Sequence, residues 1–384
     1  MTSSDTTQRL CIWGTSVKKV GDEAQLASTL TYLLERYGEL EVTVFSTLSE
    51  RVEQLFNELG VTGRCVRLKH LSAVTSALRN ADGLVIIGGP FFEDRYQMAS
   101  IAILFTLAKL TNTRMVTFGT TLFPANTAVG QRFYRWAYSR LDAISSRDSR
   151  GAEVLAEFGV QKTLYPIADL RYLLHPSARD QIQRILRSEG IDPTKPYVTL
   201  TTRYLHDAMP PWVNEQLGYS SEQARQSYQQ LASFIAQLSE RFQVVIVPMH
   251  PTMAEDQETA KLLFSQASAN TFVLTQRYTP FDILGLFRYS AFSIHSRVGS
   301  TVFSVIAGTP FVAVSYESRM EHWMRDNGMD TYWVDWKAVN ASDLITQCEH
   351  LQAHESQVRQ QLAQLYHSNK TQLQQQAEII LSHI

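Results

Sequence analysis

The chain has 384 residues, which is long for one hydrophobic core and comfortable for two domains. Lys and Arg (35) nearly balance Asp and Glu (37), and no basic run stands out, so the positive field of a nucleic-acid-binding protein is missing. The three cysteines, Cys11, Cys65 and Cys348, are widely spaced, which argues against a disulfide framework and a cysteine-based zinc site.

The N-terminal sequence MTSSDTTQRLCIWG lacks the basic segment, apolar stretch and cleavage site of a signal peptide. Nowhere do about 18 apolar residues follow one another, as a membrane-spanning helix requires. We therefore expect a soluble, cytoplasmic protein with no transmembrane segment.

Short β-branched or aromatic runs alternate with stretches of helical period through the first half, which is typical of a parallel sheet wrapped by helices. Strands are predicted at 9–14, 41–46, 64–68, 83–89, 114–119 and 142–146. Helices are predicted between and after them, at about 22–37, 49–60, 71–80, 96–110, 127–140 and 149–158. From about residue 160 the alternation loosens, and a polar helix ends at Gly190.

The alternation restarts after Gly190. Strands are predicted at 197–203, 243–249, 271–275, 289–296 and 311–316, and helices at 220–241, 253–267, from Pro280 and at 298–307. The glutamine-rich tail indicates one or two amphipathic helices. We thus predict an α/β protein with two Rossmann-like domains facing across a cleft: an N-terminal domain over 1–175, a C-terminal domain over 190–340, and C-terminal helices over 341–384.

Ligands of such folds bind at the carboxyl ends of the parallel strands, so the strand-to-helix loops are the candidate sites. Two loops of the first half stand out. Asp22, in GTSVKKVGDEAQL, either faces a ligand or complements the dipole of the helix that starts there. Gly88 and Gly89, in GGPFFED, allow close backbone approach. Neither a dinucleotide-binding fingerprint nor a P-loop occurs.

Two further loops lie in the second half. Arg203 ends the predicted strand YVTLTTR, where its guanidinium could bind a carboxylate or phosphate, or form a surface salt bridge. His250 follows VVIVPM and is either a structural residue or a proton-transfer group.

The stretch HSRVGSTVFSVIAGTP (295–310) carries the strongest signal. A strand ends near His295, and a helix begins at Gly299, Ser300 and Thr301, so backbone N–H groups and the positive end of the helix dipole meet Arg297. Ser300 could instead cap the helix. We favour an anion-binding site.

The sequence resembles the polysaccharide pyruvyl transferases. That family carries an Asn-x-Gly-Asp-Glu-Ala, a Gly-Gly-Gly turn, a Gly-x-x-x-x-Pro stretch, an Arg-Asp-x-x-Ser-like segment and an Arg-Leu-His, in this order. The corresponding stretches here are VGDEA, GGPFFED, GTTLFP, SSRDSRGAEVLAEFGV with IADLRYLL, PMHPTMAEDQETA and HSRVGSTVFSVIAGTPFVAVSYESR. No single motif decides the matter, but the ordered set covers roughly residues 10–330.

The resemblance implies a glycosyltransferase-B-like fold. It implies transfer of a pyruvyl group from phosphoenolpyruvate, a co-substrate, to two hydroxyls of a sugar in an exopolysaccharide of the cell envelope or its lipid-linked precursor. The donor would bind Arg203, Arg297 and the amides of Gly299 to Thr301, with Asp22 and the Gly-Gly loop on the acceptor side. No metal or further cofactor is expected. A lipid-linked acceptor would bring the protein into peripheral contact with a membrane.

The sequence departs from the family at its donor site, where Gly299 stands at the position of the family's histidine. Either His295 or His250 supplies the proton instead, or the reaction has changed. Because GSTVFSVIAGTP also resembles the diphosphate-binding loop of nucleotide-sugar glycosyltransferases, an enzyme of that kind is the alternative. A catalytically inactive relative is the third possibility.

Overall fold

The computed structural model describes residues 7–15, 17–89, 98–122, 125, 127–147, 150–201, 218, 220–250, 263, 270–316 and 318–384. The chain divides into two compact units. Unit 1 comprises the described residues of Met1–Lys18, Asp22–Leu173 and Ser368–Ile384, and unit 2 comprises those of Lys19–Gly21 and Leu174–His367.

Unit 1 contains a parallel five-stranded sheet in the order β3-β2-β1-β4-β5, and a parallel pair, β6-β7. The strands are β1 Gln8–Trp13, β2 Leu40–Phe45, β3 Thr62–Val66, β4 Gly83–Ile87, β5 Arg114–Phe118, β6 Ile144–Ser146 and β7 Leu164–Pro166. The helices are α1 Val20–Tyr37, α2 Ser49–Leu59, α3 Leu71–Arg79, α4 Met98–Leu110, α5 Ala128–Tyr138 and α6 Gly151–Glu157.

The central strands of unit 1 are apolar because helices cover both faces of a parallel sheet. β4 reads GLVII and is buried at every residue. On one side its core includes Phe105 of α4 and Tyr134 of α5, both almost fully buried. Full burial of side chains of this size stabilises the fold by about 1.5–3 kcal/mol each.

Unit 2 contains a parallel six-stranded sheet in the order β10-β9-β8-β11-β12-β13. The strands are β8 Tyr197–Thr201, β9 Gln243–Ile246, β10 Thr271–Val273, β11 Ser293–His295, β12 Phe311–Ser315 and β13 Trp333–Asp335. The helices are α7 Arg179–Ser188, α8 Ser221–Leu238, α9 Pro280–Arg288, α10 Val298–Ala307, α11 Ser318–Asp326, α12 Ala341–Ala353 and α13 Glu355–Leu381, whose residues from Ser368 onward belong to unit 1.

Local signals set the ends of several helices in unit 2. α8 begins at a capping box, in which the Ser220 hydroxyl accepts from the Gln223 N–H and the Gln223 side chain accepts from the Ser220 N–H. α9 begins at Thr279, with Pro280 at its first position. α10 ends at Gly308, whose φ of 67° is easily adopted only by glycine. Each of these capping signals can be recognised in the sequence.

The predicted α/β fold with two Rossmann-like sheets is confirmed. The strands predicted in the first half are present within a few residues, and α10 has the predicted bounds. The sequence analysis missed three short elements, β7, α11 and β13. The helix predicted at 253–267 lies, apart from residue 263, outside the described residues. Among the described helices, none has the length and the apolar character needed to cross a bilayer.

Candidate functional site

Each sheet reverses its strand order once, and open α/β sheets bind ligands outside the carboxyl ends of the strands at such a reversal. In unit 2 the chain runs outward from β8 through β9 to β10, then returns to pair β11 with the other side of β8. In unit 1 the same reversal lies between β1 and β4. The predicted site residues follow these strands.

At the strand-order reversal in unit 2, the chain passes from β11 into α10. Arg297 is the N-cap residue of α10; its backbone is extended, and its side chain makes no capping hydrogen bond. The N–H groups of Ser300 and Thr301 both donate to the carbonyl of Arg297, at 2.9 and 3.3 Å. Of the three amides predicted to bind an anion, those of Ser300 and Thr301 are thus used inside the helix.

The two hydroxyls at the start of α10 differ. The Thr301 hydroxyl donates to the Val298 carbonyl at 2.7 Å, so this side chain belongs to the helix rather than to a ligand. Ser300 is fully buried, and its Oγ has no hydrogen-bond partner among the described residues. An isolated buried hydroxyl is costly and calls for an explanation such as a bound group. Among the predicted site residues, Ser300 is therefore the one best suited to hydrogen-bond to a bound group.

His295 lies in the core of unit 2. It is fully buried between Phe287, whose ring centroid is 5.1 Å away, and Phe311, at 5.6 Å. Its Nδ1 is 3.0 Å from the Thr201 hydroxyl, and its Nε2 is 2.6 Å from the Ser304 hydroxyl. Burial lowers the pKa of His295 to about 3.

This environment does not fit the predicted proton donor. A histidine with a pKa near 3 carries no transferable proton near neutral pH, and both ring nitrogens of His295 are already engaged. β11 ends at His295, so Arg297 lies beyond the strand, at the start of α10. The ring instead ties β11 to β8 and α10.

His250 follows β9 after three residues and is almost fully buried. β9 and β11 flank β8, so their carboxyl ends are about 10 Å apart at the usual strand spacing. His250 and Arg297 thus follow the same edge of the sheet. Arg203, predicted to follow β8 between them, lies outside the described residues.

The reversal in unit 1 holds Asp22, Gly88 and Gly89. Asp22 is half-buried in the first turn of α1, and its carbonyl accepts from the Thr15 hydroxyl at 3.1 Å. Gly88 has a φ of 76°, and an added Cβ would lie 3.0 Å from the Gly14 carbonyl oxygen. Only glycine suits that position, whereas Gly89 is exposed.

Gln25 was missed by the sequence analysis. It lies in α1 one turn beyond Asp22 and is 4% exposed, and its Oε1 has no hydrogen-bond partner among the described residues. A Cβ on Gly88 would lie 3.0 Å from that oxygen, so the two residues are adjacent. The signal was available in VGDEAQ, where Gln25 follows Asp22 by three residues on the same side of a helix.

A second group that the sequence analysis did not single out joins Arg147, Asp169 and Arg171. The Asp169 carboxylate accepts from Arg147 at 2.6 Å and from Arg171 at 2.6 and 2.7 Å. Burial alone would raise the pKa of Asp169, but the charges of Arg171 and Arg147 outweigh it and hold the pKa well below its usual range. Asp169 is therefore ionised and links the end of β6 to the turn after β7.

This arginine–aspartate group also supports the Gly-Gly loop. Arg147 donates through Nε to the Thr121 hydroxyl at 3.0 Å, and the Thr121 N–H donates to the Gly88 carbonyl at 3.3 Å. The residues lie in SSRDS and IADLRYLL, two of the stretches that carry the family resemblance.

Comparisons with known proteins address the family and the fold. The model of the polysaccharide pyruvyl transferase family matches residues 20–318. A search of curated proteins finds no match. Among solved structures, a UDP-GlcNAc 2-epimerase from Neisseria meningitidis is similar with a TM-score of 0.62 at 12% identity, covering 98% of this chain and 99% of that one.

A glycosyltransferase from Rickettsia africae is similar to the same degree, with a TM-score of 0.61 at 10% identity over 98% of this chain and 99% of that one. At such low identity these likenesses show the fold alone. They confirm the predicted glycosyltransferase-B-like fold.

Proposed function

Because the chain belongs to the polysaccharide pyruvyl transferase family, we propose that it moves a pyruvyl group from phosphoenolpyruvate to two hydroxyls of one sugar, forming a cyclic ketal. The acceptor is a sugar of a polysaccharide or of its lipid-linked precursor. The observation that carries the proposal is the buried Ser300 hydroxyl, without a partner among the described residues, beside Arg297 at the start of α10.

Phosphoenolpyruvate offers a phosphate and a carboxylate, and the start of α10 suits such an anion. Arg297 brings a full positive charge, and the positive end of the helix dipole adds to it. The Ser300 hydroxyl can donate to an anionic oxygen, which would satisfy it. Arg203 follows the neighbouring strand in sequence and is the second proposed cation.

The reaction needs a proton and an anion-stabilising site. Protonation of the methylene carbon of phosphoenolpyruvate leaves a positive centre at the adjacent carbon, and a sugar hydroxyl attacks that centre and loses its proton. Phosphate then leaves with the electron pair of its C–O bond, and a second hydroxyl closes the ketal. Arg297 and the helix start stabilise the departing phosphate, and the reaction draws on no further cofactor.

We assign the proton to His250 rather than to His295. His250 follows the strand edge that also leads to Arg297, whereas His295 is enclosed in the core with its pKa lowered to about 3. His250→Ala should lower turnover by about 100-fold or more, the usual effect of losing an acid–base catalyst. An unchanged turnover in His250→Ala would remove this assignment.

On the acceptor side, the Gln25 Oε1 is a hydrogen-bond acceptor that lacks a donor among the described residues. Sugar hydroxyls are such donors. Gly88 lies directly beside this oxygen, and Asp22 lies one turn away from Gln25 on α1. We propose that these residues bind the acceptor, with Gly89 at the exposed side of the loop.

The reaction can be tested by incubating the protein with phosphoenolpyruvate and a panel of aryl glycosides that offer neighbouring pairs of hydroxyls. The proposal predicts phosphate release that depends on one of the glycosides, together with a product whose mass has increased by one pyruvyl group. Arg297→Ala should lose this activity, and Arg225→Ala, which removes an exposed arginine of α8, should retain it. Glycosyl transfer from a nucleotide sugar, without pyruvyl transfer, would contradict the proposal.

A nucleotide-sugar-dependent glycosyltransferase remains the second candidate. The observation that favours it is the enclosure of His295, which leaves the start of α10 with a phosphate-binding capacity and no histidine of its own. A catalytically inactive relative would bind neither donor productively, and the same assay separates all three.

A further inference from the structure

We propose that unit 1 docks on an anionic membrane through the outer surface of α3, α4 and α5, together with the described residues that flank these helices within 62–81, 98–114 and 127–141. This surface is called the α3–α5 face. α4 contacts both α3 and α5, and the rings of Phe105 on α4 and Trp136 on α5 are stacked with centroids 6.3 Å apart. The three helices thus form one continuous layer.

The α3–α5 face is unusually apolar for a surface in contact with water. Five large hydrophobic side chains are exposed among the described residues, and four of them lie here: Leu71 (49%), Ile103 (43%), Leu110 (77%) and Val129 (68%). Single exposed hydrophobic residues need no explanation, but four of the five exposed ones lie on these three adjacent helices, and a concentration of exposed apolar residues marks an interaction surface. α4 contributes most, because only Lys109 among its 13 residues is charged.

Aromatic rings lie beneath this layer. Phe133 and Trp136 of α5 are only partly buried, with ring centroids 5.4 Å apart. The Arg140 guanidinium covers the Trp136 ring at 4.1 Å from its centroid. Tryptophan and phenylalanine next to arginine are typical of the zone where lipid headgroups meet acyl chains.

The charges within the segments 62–81, 98–114 and 127–141 are all positive, and the exposed Asp82 and Asp142 directly follow two of these segments. Asp and Glu make up 37 of the chain's 384 residues, yet the segments 62–81, 98–114 and 127–141 contain none. Exposed or half-exposed basic side chains surround the apolar cluster: Arg67, Lys69, Arg79, Lys109, Arg132, Arg135 and Arg140. Since the whole chain has a net charge of −2, this is a local concentration of charge.

Apolar side chains surrounded by cations match the acyl region and headgroups of an anionic bilayer. A soluble polyanion such as RNA would use the basic residues but would leave Leu110 and Val129, the two most exposed, without a partner. A lipid surface would contact both the basic and the apolar side chains.

This inference extends the proposed function, on which it rests only for the identity of the acceptor. A lipid-linked sugar lies at the membrane surface, and α4 follows the segment that begins with Gly88 and Gly89. Docking through the α3–α5 face would keep unit 1 next to such acceptors. Vesicle binding does not require pyruvyl transfer, so the two proposals can fail separately.

The test is sedimentation of the full chain with vesicles of phosphatidylcholine, with and without phosphatidylglycerol. The proposal predicts that mixed vesicles bind at least about tenfold more protein than neutral ones and that salt reduces this binding. The double variants Leu110→Ser/Val129→Ser and Lys109→Gln/Arg132→Gln should each lower vesicle affinity by about tenfold or more. These side chains are exposed, so circular dichroism should show an unchanged fold.

Matched controls lie outside the α3–α5 face. Ile379→Ser removes an apolar side chain that is 43% exposed on α13, and Arg184→Gln/Arg187→Gln removes two exposed cations from α7. Both should bind vesicles like the parent. Equal binding to neutral and anionic vesicles, no vesicle binding, or parental affinity in both α3–α5 variants would overturn the proposal. Retention on RNA without vesicle binding would assign the face to a soluble polyanion and overturn it as well.

Discussion

The strand-order reversals of unit 1 and unit 2 are similar in geometry but differ in the charge of the residues around them. Each places a buried oxygen that has no hydrogen-bond partner among the described residues, Gln25 Oε1 in unit 1 and Ser300 Oγ in unit 2. In unit 2 the neighbour is the cation Arg297 at a helix start. In unit 1 the neighbour is the carboxylate Asp22, and the nearby arginines are bound to Asp169.

The difference teaches what each reversal is suited to bind. A hydroxyl beside a positive charge can donate to an anion, as phosphoenolpyruvate requires. An amide oxygen is a hydrogen-bond acceptor and can accept from neutral hydroxyls, as a sugar offers. We therefore expect the charge around each reversal to separate a donor site in unit 2 from an acceptor site in unit 1. Five variants can break or sharpen this comparison.

The largest effect is expected for Asp169→Ala, which leaves Arg147 and Arg171 without their shared counter-ion. Breaking a buried charge group in this way costs about 3–5 kcal/mol of unfolding free energy. Urea denaturation measures the loss. The control is Glu153→Ala, which removes an exposed partner of Arg150 and should cost less than about 1 kcal/mol.

If Asp169→Ala were as stable as the parent, the arginines would have another role, and unit 1 would offer an anion site after all. The pH dependence of the unfolding free energy provides a second test. Because the folded-state pKa of Asp169 lies below its unfolded value, the stabilisation is present above about pH 4 and disappears as the pH falls further.

The second effect concerns His295→Ala. The variant leaves a cavity between two phenylalanine rings and removes the partner of the Thr201 and Ser304 hydroxyls, so we expect a loss of about 3 kcal/mol in unfolding free energy. Donor affinity, measured at a temperature where the variant is folded, should be unchanged. A folded variant that has lost only turnover would restore His295 as the proton donor.

His295 also predicts a pH dependence for the parent. Its pKa is about 3 in the folded state and about 6.5 when unfolded, so the unfolded chain binds the extra proton between these values. Stability should therefore decrease as the pH falls below about 6.5, by up to about 1.4 kcal/mol per pH unit. His295→Ala should lack this contribution when the two unfolding curves are compared.

The third effect is that of Arg297→Ala on donor binding. We expect phosphoenolpyruvate affinity to fall by about 1.5–3 kcal/mol, the value of hydrogen bonds to charged groups, with little change in stability. Isothermal titration of phosphoenolpyruvate measures it. Unchanged affinity would show that the start of α10 is not the donor site, and global unfolding of the variant would show that Arg297 is structural.

The smallest effects separate the two reversals. Ser300→Ala should weaken phosphoenolpyruvate binding by about 1 kcal/mol and leave the acceptor KM unchanged, whereas Gln25→Leu should do the reverse. Both variants should be as stable as the parent or slightly more so, because each removes a buried polar atom that lacks a partner in the described structure. Equal effects of both variants on both substrates would end the division between a donor and an acceptor side.

The sequence predicts the regular elements well because hydrophobic periodicity and helix-capping residues depend only on residues close together in the chain. α10, for example, has both an extended N-cap and a C-terminal glycine, and its predicted bounds are the observed ones. β7 and β13 have only three residues each, too few for a period, and were missed.

The site was predicted less completely because its contacts are not local. In a sheet covered on both faces, alternation along β11 cannot reveal that His295 points into the core. Arg147 and Asp169 are separated by 22 residues, and only the pairing of β6 with β7 brings them together. Likewise, Gln25 becomes notable only when Gly88 is seen next to it.

The most direct test of the central claim is a comparison of ligands by thermal unfolding. The account predicts that millimolar phosphoenolpyruvate raises the melting temperature of the parent, and that this shift is lost in Arg297→Ala and retained in Arg225→Ala. It also predicts no shift with UDP-GlcNAc. A shift with UDP-GlcNAc and none with phosphoenolpyruvate would contradict pyruvyl transfer and identify α10 as the start of a nucleotide-sugar site.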